Sequence, residues 1–403
     1  MRGERAELTS LLYHAQLRDD LVKSITEHEK GILLNKLEMQ FRHAKWTIPS
    51  DFMKRSHFDR VLKNIDMTSS PGYPYLLVHT NNASFFNCKE GVLDVERADQ
   101  IWNRVNSYIE NKLSDPIRLF VKPEPHNERK MRSGRYRLIS SVSIIDQIID
   151  AMLFGEMNEI MIHNWPMLPT RVGWSPYYGG WKQMPYAKTQ MAIDKTAWDW
   201  SVQGWLPEIV LELRKRLCRN LTSDWERLAN WRYKALFGNP TLVTSGGLFL
   251  RQKQSGVMKS GCYNTIIDNS IMQIVLHDLV CQTLNIPIGS IIAMGDDTLQ
   301  DALFGEERER YLEELSRYCN VKVCNVSNEF CGMHFNIDGR VEPVYRAKHA
   351  YKILYMDDSI SDSMADSYTL MYYRSRLKDL IDSLFRKMGC EVRSDEYRDA
   401  IFG

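Results

Sequence analysis

The chain has 403 residues, with 52 Lys and Arg against 51 Asp and Glu and a formal net charge of +1. That length suits two or three ordinary domains or one large multi-lobed body, and near-neutrality excludes a wholesale polyelectrolyte, so any nucleic-acid footprint must be local. Eight scattered cysteines favour a reducing, cytosolic setting, MRGERAELTS lacks a signal peptide's apolar core, and no stretch approaches the roughly 18 uninterrupted apolar residues of a membrane span. No repeat, low-complexity tract or Gly/Ser linker marks a boundary, so the lobes are expected to interleave.

In chain order, residues 1–115 mix charged helical stretches, Asp19 to Leu37 among them, with a turn-rich insert TSSPGYPY at 68–75. From Ile117 to Arg137, seven basic residues (Arg118, Lys122, Arg129, Lys130, Arg132, Arg135, Arg137) face only Glu124 and Glu128, a net +5. Charge alone leaves a solvated loop and an anion-binding arm both open. A short strand is expected over Gln190–Asp194, then a helix over Leu206–Leu217 with Pro207 in its first turn. Ser290–Met294 and Thr298–Leu303 predict two strands closed by Gly-Asp-Asp at 295–297. Helices follow over Glu306–Tyr318 and much of Ser367–Met388. Strands and helices alternate without a βαβ repeat, which predicts an α+β core with helical additions.

Three stations carry candidate chemistry. In AIDKTAWDW, Asp194 ends the strand and Asp199 follows five residues later, so two acids leave one strand end; Trp198 and Trp200 read as packing residues. In KSGCYNTIIDNS, Ser260-Gly261 form a small turn, and Thr265 and Asn269 share a helix face with Met272 and Leu276. That face is apolar further along, so the two polar groups must bond each other, the backbone or a ligand. In IIAMGDDTLQ, Asp296 and Asp297 stand side by side behind Gly295. Adjacent carboxylates repel unless a proton or a cation intervenes, although a solvated turn tolerates them. Together with Asp194 they make three carboxylates on strand ends, hard oxygen donors of the kind that hold two Mg2+ or Mn2+ ions. Cys319, Cys324, Cys331 and His334 have a loosely zinc-like order, but gaps of 4, 6 and 2 residues fit none of the common sites.

The order Asp-x4-Asp, Ser-Gly-x3-Thr-x3-Asn, Gly-Asp-Asp resembles motifs A, B and C of positive-strand viral RNA-dependent RNA polymerases. FVKPEPHNERKMRSGRYRLISSVSIIDQIIDAMLFG (120–155) is similar to the F-motif region of sobemovirus and polerovirus-like replicases, and SPGYPY (70–75) and EFCGMHF (329–335) to their G and E motifs. The resemblance implies a right hand of fingers, palm and thumb, with an RRM-like antiparallel palm sheet backed by helices. It divides the chain into fingers at 1–140, palm and fingers helices at 141–185, motif A at 186–205, a fingers insertion at 206–258, motifs B to E at 259–338 and a thumb at 339–403.

By the same resemblance, Asp194 and Asp296 would bind two Mg2+ or Mn2+ ions, supported by Asp297 and the Ile193 carbonyl, and Lys322 matches the motif D lysine that protonates pyrophosphate. Asp199 and Asn269, with Thr265 nearby, would read the ribose 2′-hydroxyl, while Ser260 and Gly261 let their loop adjust around the templating base. Lys122 and Arg137 would contact the triphosphate; Arg118, Arg129, Lys130, Arg132 and Arg135 would line the nucleotide tunnel or steer anions. Ser70, Pro71 and Gly72 would guide the template, and Phe330, Cys331 and Gly332 would support the primer end.

The implied activity is RNA-directed RNA synthesis that replicates and transcribes a viral positive-strand genome. The implied partners are RNA template, nascent strand, ribonucleoside triphosphates, a protein primer and other viral replication proteins. The implied setting is host cytoplasm, in membrane-associated replication complexes reached through those partners. A thumb as short as 339–403 would leave an open channel suited to protein-primed or primer-dependent initiation. Two alternatives compete: a catalytically inactive palm-fold RNA-binding scaffold, and a palm-type nucleotidyl cyclase or reverse transcriptase, against which the ribose-sensing pair and Gly-Asp-Asp argue.

Overall fold

The structure, a computed structural model, describes residues 3–126 and 128–403. Its strands are β1 (Ile117–Val121), β2 (Leu138–Ser141), β3 (Gln190–Lys195), β4 (Thr241–Val243), β5 (Phe249–Arg251), β6 (Ile291–Met294), β7 (Asp297–Asp301), β8 (Val321–Val326), β9 (Glu329–Phe330), β10 (Met333–Phe335) and β11 (Val341–Pro343). They form three sheets, ordered β2-β1-β4-β5, β6-β7-β3-β8 and β11-β10-β9. Every pairing is antiparallel except β1 with β4. Helices surround these sheets, so the fold is α+β.

The β6-β7-β3-β8 sheet forms because its strands carry apolar residues at alternate positions: Met191 and Ile193 of β3 are buried while Asp194 is exposed. Behind it lies the helix Thr265–Leu284, which packs against β6 and is buried along most of its length. A helix that is apolar nearly all round has no face to give to water and therefore becomes a core element. The helix Ile144–His163 is similarly buried, and Ser143 caps its start by accepting the Asp146 N–H at 3.2 Å.

A polar layer runs through this core. Arg232 donates to Asp150 and Asp146, each at 2.6 Å, while Arg214 reaches Asp268 at 2.7 Å and the Tyr233 hydroxyl donates to the same carboxylate at 2.8 Å. These guanidinium groups are buried, and pairing is what makes their burial tolerable.

The expected strand at 190–194, the hairpin around 295–297 and the helix at 206–217 all form, the last as Trp205–Arg216. The helix expected at Glu306–Tyr318 spans Gly305–Ser316. Two expectations need correction. The stretch from Asp19 to Leu37 is helical only from Glu27, because Thr26 and Glu29 form a reciprocal capping box that starts the helix Glu27–Gln40 there. Ser367–Met388 divides between helices Ser361–Met371 and Lys378–Lys387. Between them the buried Glu342 carboxylate accepts the Ser375 hydroxyl at 2.6 Å and the Arg376 N–H at 2.9 Å, which draws the chain off a helical path.

Candidate active site

Asp194 lies at the end of β3, opposite Val323 of β8, where the register shifts. On the other side of β3, the β6–β7 hairpin closes with Met294 opposite Asp297. Gly295 takes φ +64 in that turn, a conformation costly for residues with a Cβ, and its N–H donates to Ser270 Oγ at 2.8 Å. All three carboxylates therefore issue from one end of one sheet. The electrostatics agree: although solvent reaches its carboxylate, enclosure by the protein and the charges of Asp296 and Asp194 push Asp297 up to about 6.

Two lysines answer that negative charge. Lys322 of β8 forms an ion pair with Asp194, both side chains being more than half exposed. Lys195, one residue beyond Asp194, points the opposite way on the pleat into the protein, where its Nζ donates to Thr298 Oγ1 at 3.3 Å. Burial lowers the Lys195 pKa, against the opposing pull of Asp296, Asp297 and Asp194. The Thr298 hydroxyl in turn donates to the Ile193 carbonyl at 3.3 Å. Lys195 escaped the sequence reading, though a charged residue on the apolar phase of a strand was the available signal.

Hard carboxylate oxygens whose mutual repulsion the two lysines only partly offset suit a divalent cation, so the donor chemistry fits Mg2+ or Mn2+. The geometry is not a closed cage. Among the described residues no three carboxylate, imidazole or thiolate side chains gather closely enough to surround an ion, so a cation would have to take Asp194 from Lys322. The zinc-like quartet is dispersed in its contacts: Cys319 Sγ donates to the Leu315 carbonyl, Cys324 Sγ lies beside Met191 Sδ and Cys331 Sγ beside Met294 Sδ.

Asp199 and Asn269 come together. Asn269 Nδ2 donates to Asp199 Oδ1 at 3.0 Å while accepting the Trp198 indole N–H at 2.8 Å. Trp198 is buried, so it packs as expected and also fixes which end of the amide faces Asp199. Desolvation and the nearby Asp296 charge raise Asp199 to about 6, even with the Asn269 hydrogen bond pulling it down. Thr265 stands apart from this pair: its hydroxyl donates to the Lys259 carbonyl at 2.5 Å and lies 3.2 Å from Cys262 Sγ, serving its own loop.

That loop is held firmly. Ser260 Oγ accepts the Ser140 N–H at 3.0 Å, and the Gly261 N–H donates to the Ser140 carbonyl at 2.9 Å. A Cβ on Gly261 would stand 2.6 Å from that carbonyl oxygen, so only glycine permits the approach. The Ser70-Pro71-Gly72 turn joins the same neighbourhood, with the Pro71 carbonyl accepting the Ile144 N–H at 2.8 Å. Gly72 has φ +70, and a Cβ there would meet the Val142 carbonyl oxygen at 2.8 Å.

The basic arm consists of β1, β2 and the chain between them. Lys122 lies 3.3 Å and Arg137 3.9 Å from Glu124, and the Arg137 charge reaches Asp199. Other arm cations have local occupations. Arg118 lies over Phe120, Arg132 pairs with Glu128, and Arg135 lies over the Tyr13 ring while donating to its hydroxyl at 3.1 Å. Arg129 lines an open cleft with Arg132. Burial lowers the His14 imidazole pKa, and the nearby Lys130 charge adds to that shift.

Phe330 needs a correction as a strand contact: it is 1 % exposed and packs against Trp174, leaving the neighbouring Cys331–Gly332 turn as the surface beside Tyr345. Both turn residues have positive φ.

The helix Glu4–Gln16 and Arg18 were also missed, because their partners are remote in sequence. Ser10 Oγ and His14 Nε2 donate to the Tyr136 carbonyl at 2.6 and 3.2 Å, and His14 stacks on Trp200 with centroids 5.2 Å apart. Arg18 donates to the Ser255 and Val202 carbonyls at 2.8 and 3.1 Å. This segment therefore fastens the basic arm to the chain just after Asp199.

Comparison with known proteins extends the picture. A family profile described as viral RNA-dependent RNA polymerase matches residues 39–343. The replicase polyprotein P2AB of Southern cowpea mosaic virus is 31% identical over 337 residues, covering 77% of this chain and 34% of the polyprotein. The corresponding polyprotein of Southern bean mosaic virus is 33% identical over 349 residues, with 77% and 34% coverage. The RNA-directed RNA polymerase of Mushroom bacilliform virus is 27% identical over 360 residues, covering 82% of this chain and 84% of that protein. The chain thus spans about a third of the length of the two polyproteins it matches.

Proposed function

The chain belongs to the viral RNA-dependent RNA polymerase family, and from that premise we propose that it is an RNA-directed RNA polymerase replicating and transcribing a positive-strand viral genome. The observation that carries this reading is the exit of Asp194, Asp296 and Asp297 from one end of one sheet, with the Asp199–Asn269 pair within electrostatic reach of Asp296.

In this proposal Asp194 and Asp296 would hold two Mg2+ or Mn2+ ions, with Asp297 and the Ile193 carbonyl in support. Bound there, the ions supply Lewis acidity and charge neutralisation for nucleotidyl transfer. Asp199 and Asn269 offer an acceptor and an amide to the ribose 2′-hydroxyl, which distinguishes RNA precursors from DNA precursors. Lys122 and Arg137 bind the triphosphate by charge-assisted hydrogen bonds. Lys322, which pairs with Asp194, would deliver a proton to the departing pyrophosphate. Ser260 and Gly261 position the templating base, and the Ser70–Gly72 turn guides the template. Cys331 and Gly332 support the primer end.

The proposal includes the division into fingers, palm and thumb, with the thumb at 339–403. Among the described residues no helix is long and apolar enough to cross a membrane. As part of the same reading, the protein would work in host cytoplasm and join membrane-associated replication complexes through other viral proteins, a protein primer among the candidates. The alternative, a catalytically inactive RNA-binding scaffold, would have no use for a complete set of acids and a preassembled ribose pair.

Primer extension on an RNA template with Mg2+ or Mn2+ tests the function. Incorporation of ribonucleotides by the wild-type chain and its loss in Asp296→Asn, with RNA retention preserved, is the expected result. RNA retention with no incorporation by the wild type would favour the scaffold.

A further inference from the structure

The carboxylate of Glu124 gathers cations from two distant parts of the chain. Lys122 lies 3.3 Å away and Arg137 3.9 Å, both on the basic arm, while Lys348, on the helix Arg346–Leu354, lies 3.9 Å away. Three positive charges thus share one negative one. The cluster also has a definite position relative to the acids. Arg137 acts electrostatically on Asp199, and Tyr345, three residues before Lys348, senses Asp297, Asp194 and Asp296. It therefore lies within electrostatic range of the ribose-reading pair, and its helix starts beside a tyrosine within range of the Gly-Asp-Asp turn.

We propose that Lys348 is a third cation of the triphosphate port and that Glu124 acts as an internal stand-in for the nucleotide's phosphates, exchanged for them when a nucleotide binds. This rests on the polymerase reading and deepens it. Three features support the exchange. A single carboxylate leaves a net charge of +2 among the four groups, which a triphosphate neutralises and a second protein carboxylate does not supply. The Lys348 side chain is 46% exposed and the Arg137 side chain 62%, so both can turn toward an incoming anion. Ion pairs of such length and exposure are weak, so surrendering them costs little beside the charge-assisted bonds gained.

A purely structural role for Lys348, tying the helix Arg346–Leu354 to the basic arm, makes the opposite prediction for its partner. If the contact with Glu124 is a tie, removing either residue weakens the same interaction. If Glu124 competes with the nucleotide, the two removals act in opposite directions. Steady-state primer extension on the full chain separates these, with Lys348→Ala, Lys348→Arg and Glu124→Gln compared for all four ribonucleoside triphosphates. Lys348→Ala is expected to raise nucleotide KM about fivefold with kcat nearly unchanged, and equally for every base. Lys348→Arg restores most of the affinity, and Glu124→Gln lowers KM.

Displacement of a trinitrophenyl-labelled ATP by inorganic tripolyphosphate follows the same port without chemistry. Wild type should bind tripolyphosphate more tightly than Lys348→Ala and more weakly than Glu124→Gln. Unchanged affinity in Lys348→Ala, or a matching loss in Glu124→Gln, overturns the proposal. An affinity loss for RNA in place of nucleotide does the same. If the wild type extends no primer, the polymerase reading fails, whereas the displacement experiment still decides whether Lys348 binds a triphosphate.

Discussion

Asp296 and Asp297 are neighbours with different surroundings, and a single substitution at each should separate them. Asp296 acts electrostatically on Asp199, Lys195 and Asp297, placing it at the centre of the charged group. Asp296→Asn is expected to reduce nucleotide incorporation by at least about a hundredfold, measured by single-turnover extension, and Asp297→Asn by a smaller factor. Asp199 gives a second test with opposing signs. Its folded pKa is raised from 3.8 to about 6, so the folded chain binds that proton more tightly than the unfolded one. Stability from this group is consequently present at low pH and lost as pH rises from 3.8 toward 6. Asp199→Asn removes the penalty and should raise Tm at pH 7.5, by about 1–2 kcal/mol in unfolding free energy, with the gain vanishing near pH 4. The same variant should discriminate less well between ribo- and deoxyribonucleotides. In the wild type, discrimination should decline as pH falls through about 6, where Asp199 gains its proton.

At the scale of elements, local signals were legible and remote ones were not. The strand ending in Asp194 and the hairpin around Gly295 follow from alternation and a turn residue within a few positions, so sequence alone located them. Lys348, Arg18 and His14 carry no such mark, because each acquires its role from a partner more than a hundred residues away. The break at Tyr372–Leu377 was hidden for the same reason, being imposed by Glu342 from a different strand. Gly72 tests how tightly these elements meet. Gly72→Ala combines a positive φ with a Cβ 2.8 Å from the Val142 carbonyl oxygen. It should destabilise the protein by about 1–3 kcal/mol in denaturant unfolding. Arg18→Ala should remove the side-chain donor to the Ser255 carbonyl and one of two donors to the Val202 carbonyl, which keeps the Val257 N–H. Hydrogen exchange is expected to accelerate in β1 and β2, the strands that the N-terminal segment braces, before it does in β3.

Across the whole molecule, the near-zero net charge conceals a division of labour. Positive charge collects on the arm and negative charge at the sheet end, while buried pairs hold the helices that carry both. Arg232 serves two carboxylates, Asp146 and Asp150, in a fully buried setting. Arg232→Met leaves two acids without a counter-charge and should cost about 3–5 kcal/mol, with urea melts moving to a lower midpoint. The candidate site was legible as a set of residues, since the three stations are each compact in sequence. Its charge compensation was not, because the inward turn of Lys195 and the pairing of Lys322 with Asp194 arise only when the sheet assembles, although Lys322 itself stood out by resemblance.

Consecutive residues on one helix grip both halves of the site. Asn269 holds Asp199, and Ser270 accepts the Gly295 N–H behind the twin aspartates. On the proposed function, sugar selection and the placement of the metal-binding acids would therefore share a support of two consecutive residues. For a virus, that links copying accuracy to copying speed: a substitution that loosens Asn269 to admit altered sugars also disturbs Ser270 and the acids it steadies. Resistance to sugar-modified nucleotide inhibitors should accordingly be costly here, arising with slowed replication or a changed mutation rate instead of as a free adjustment.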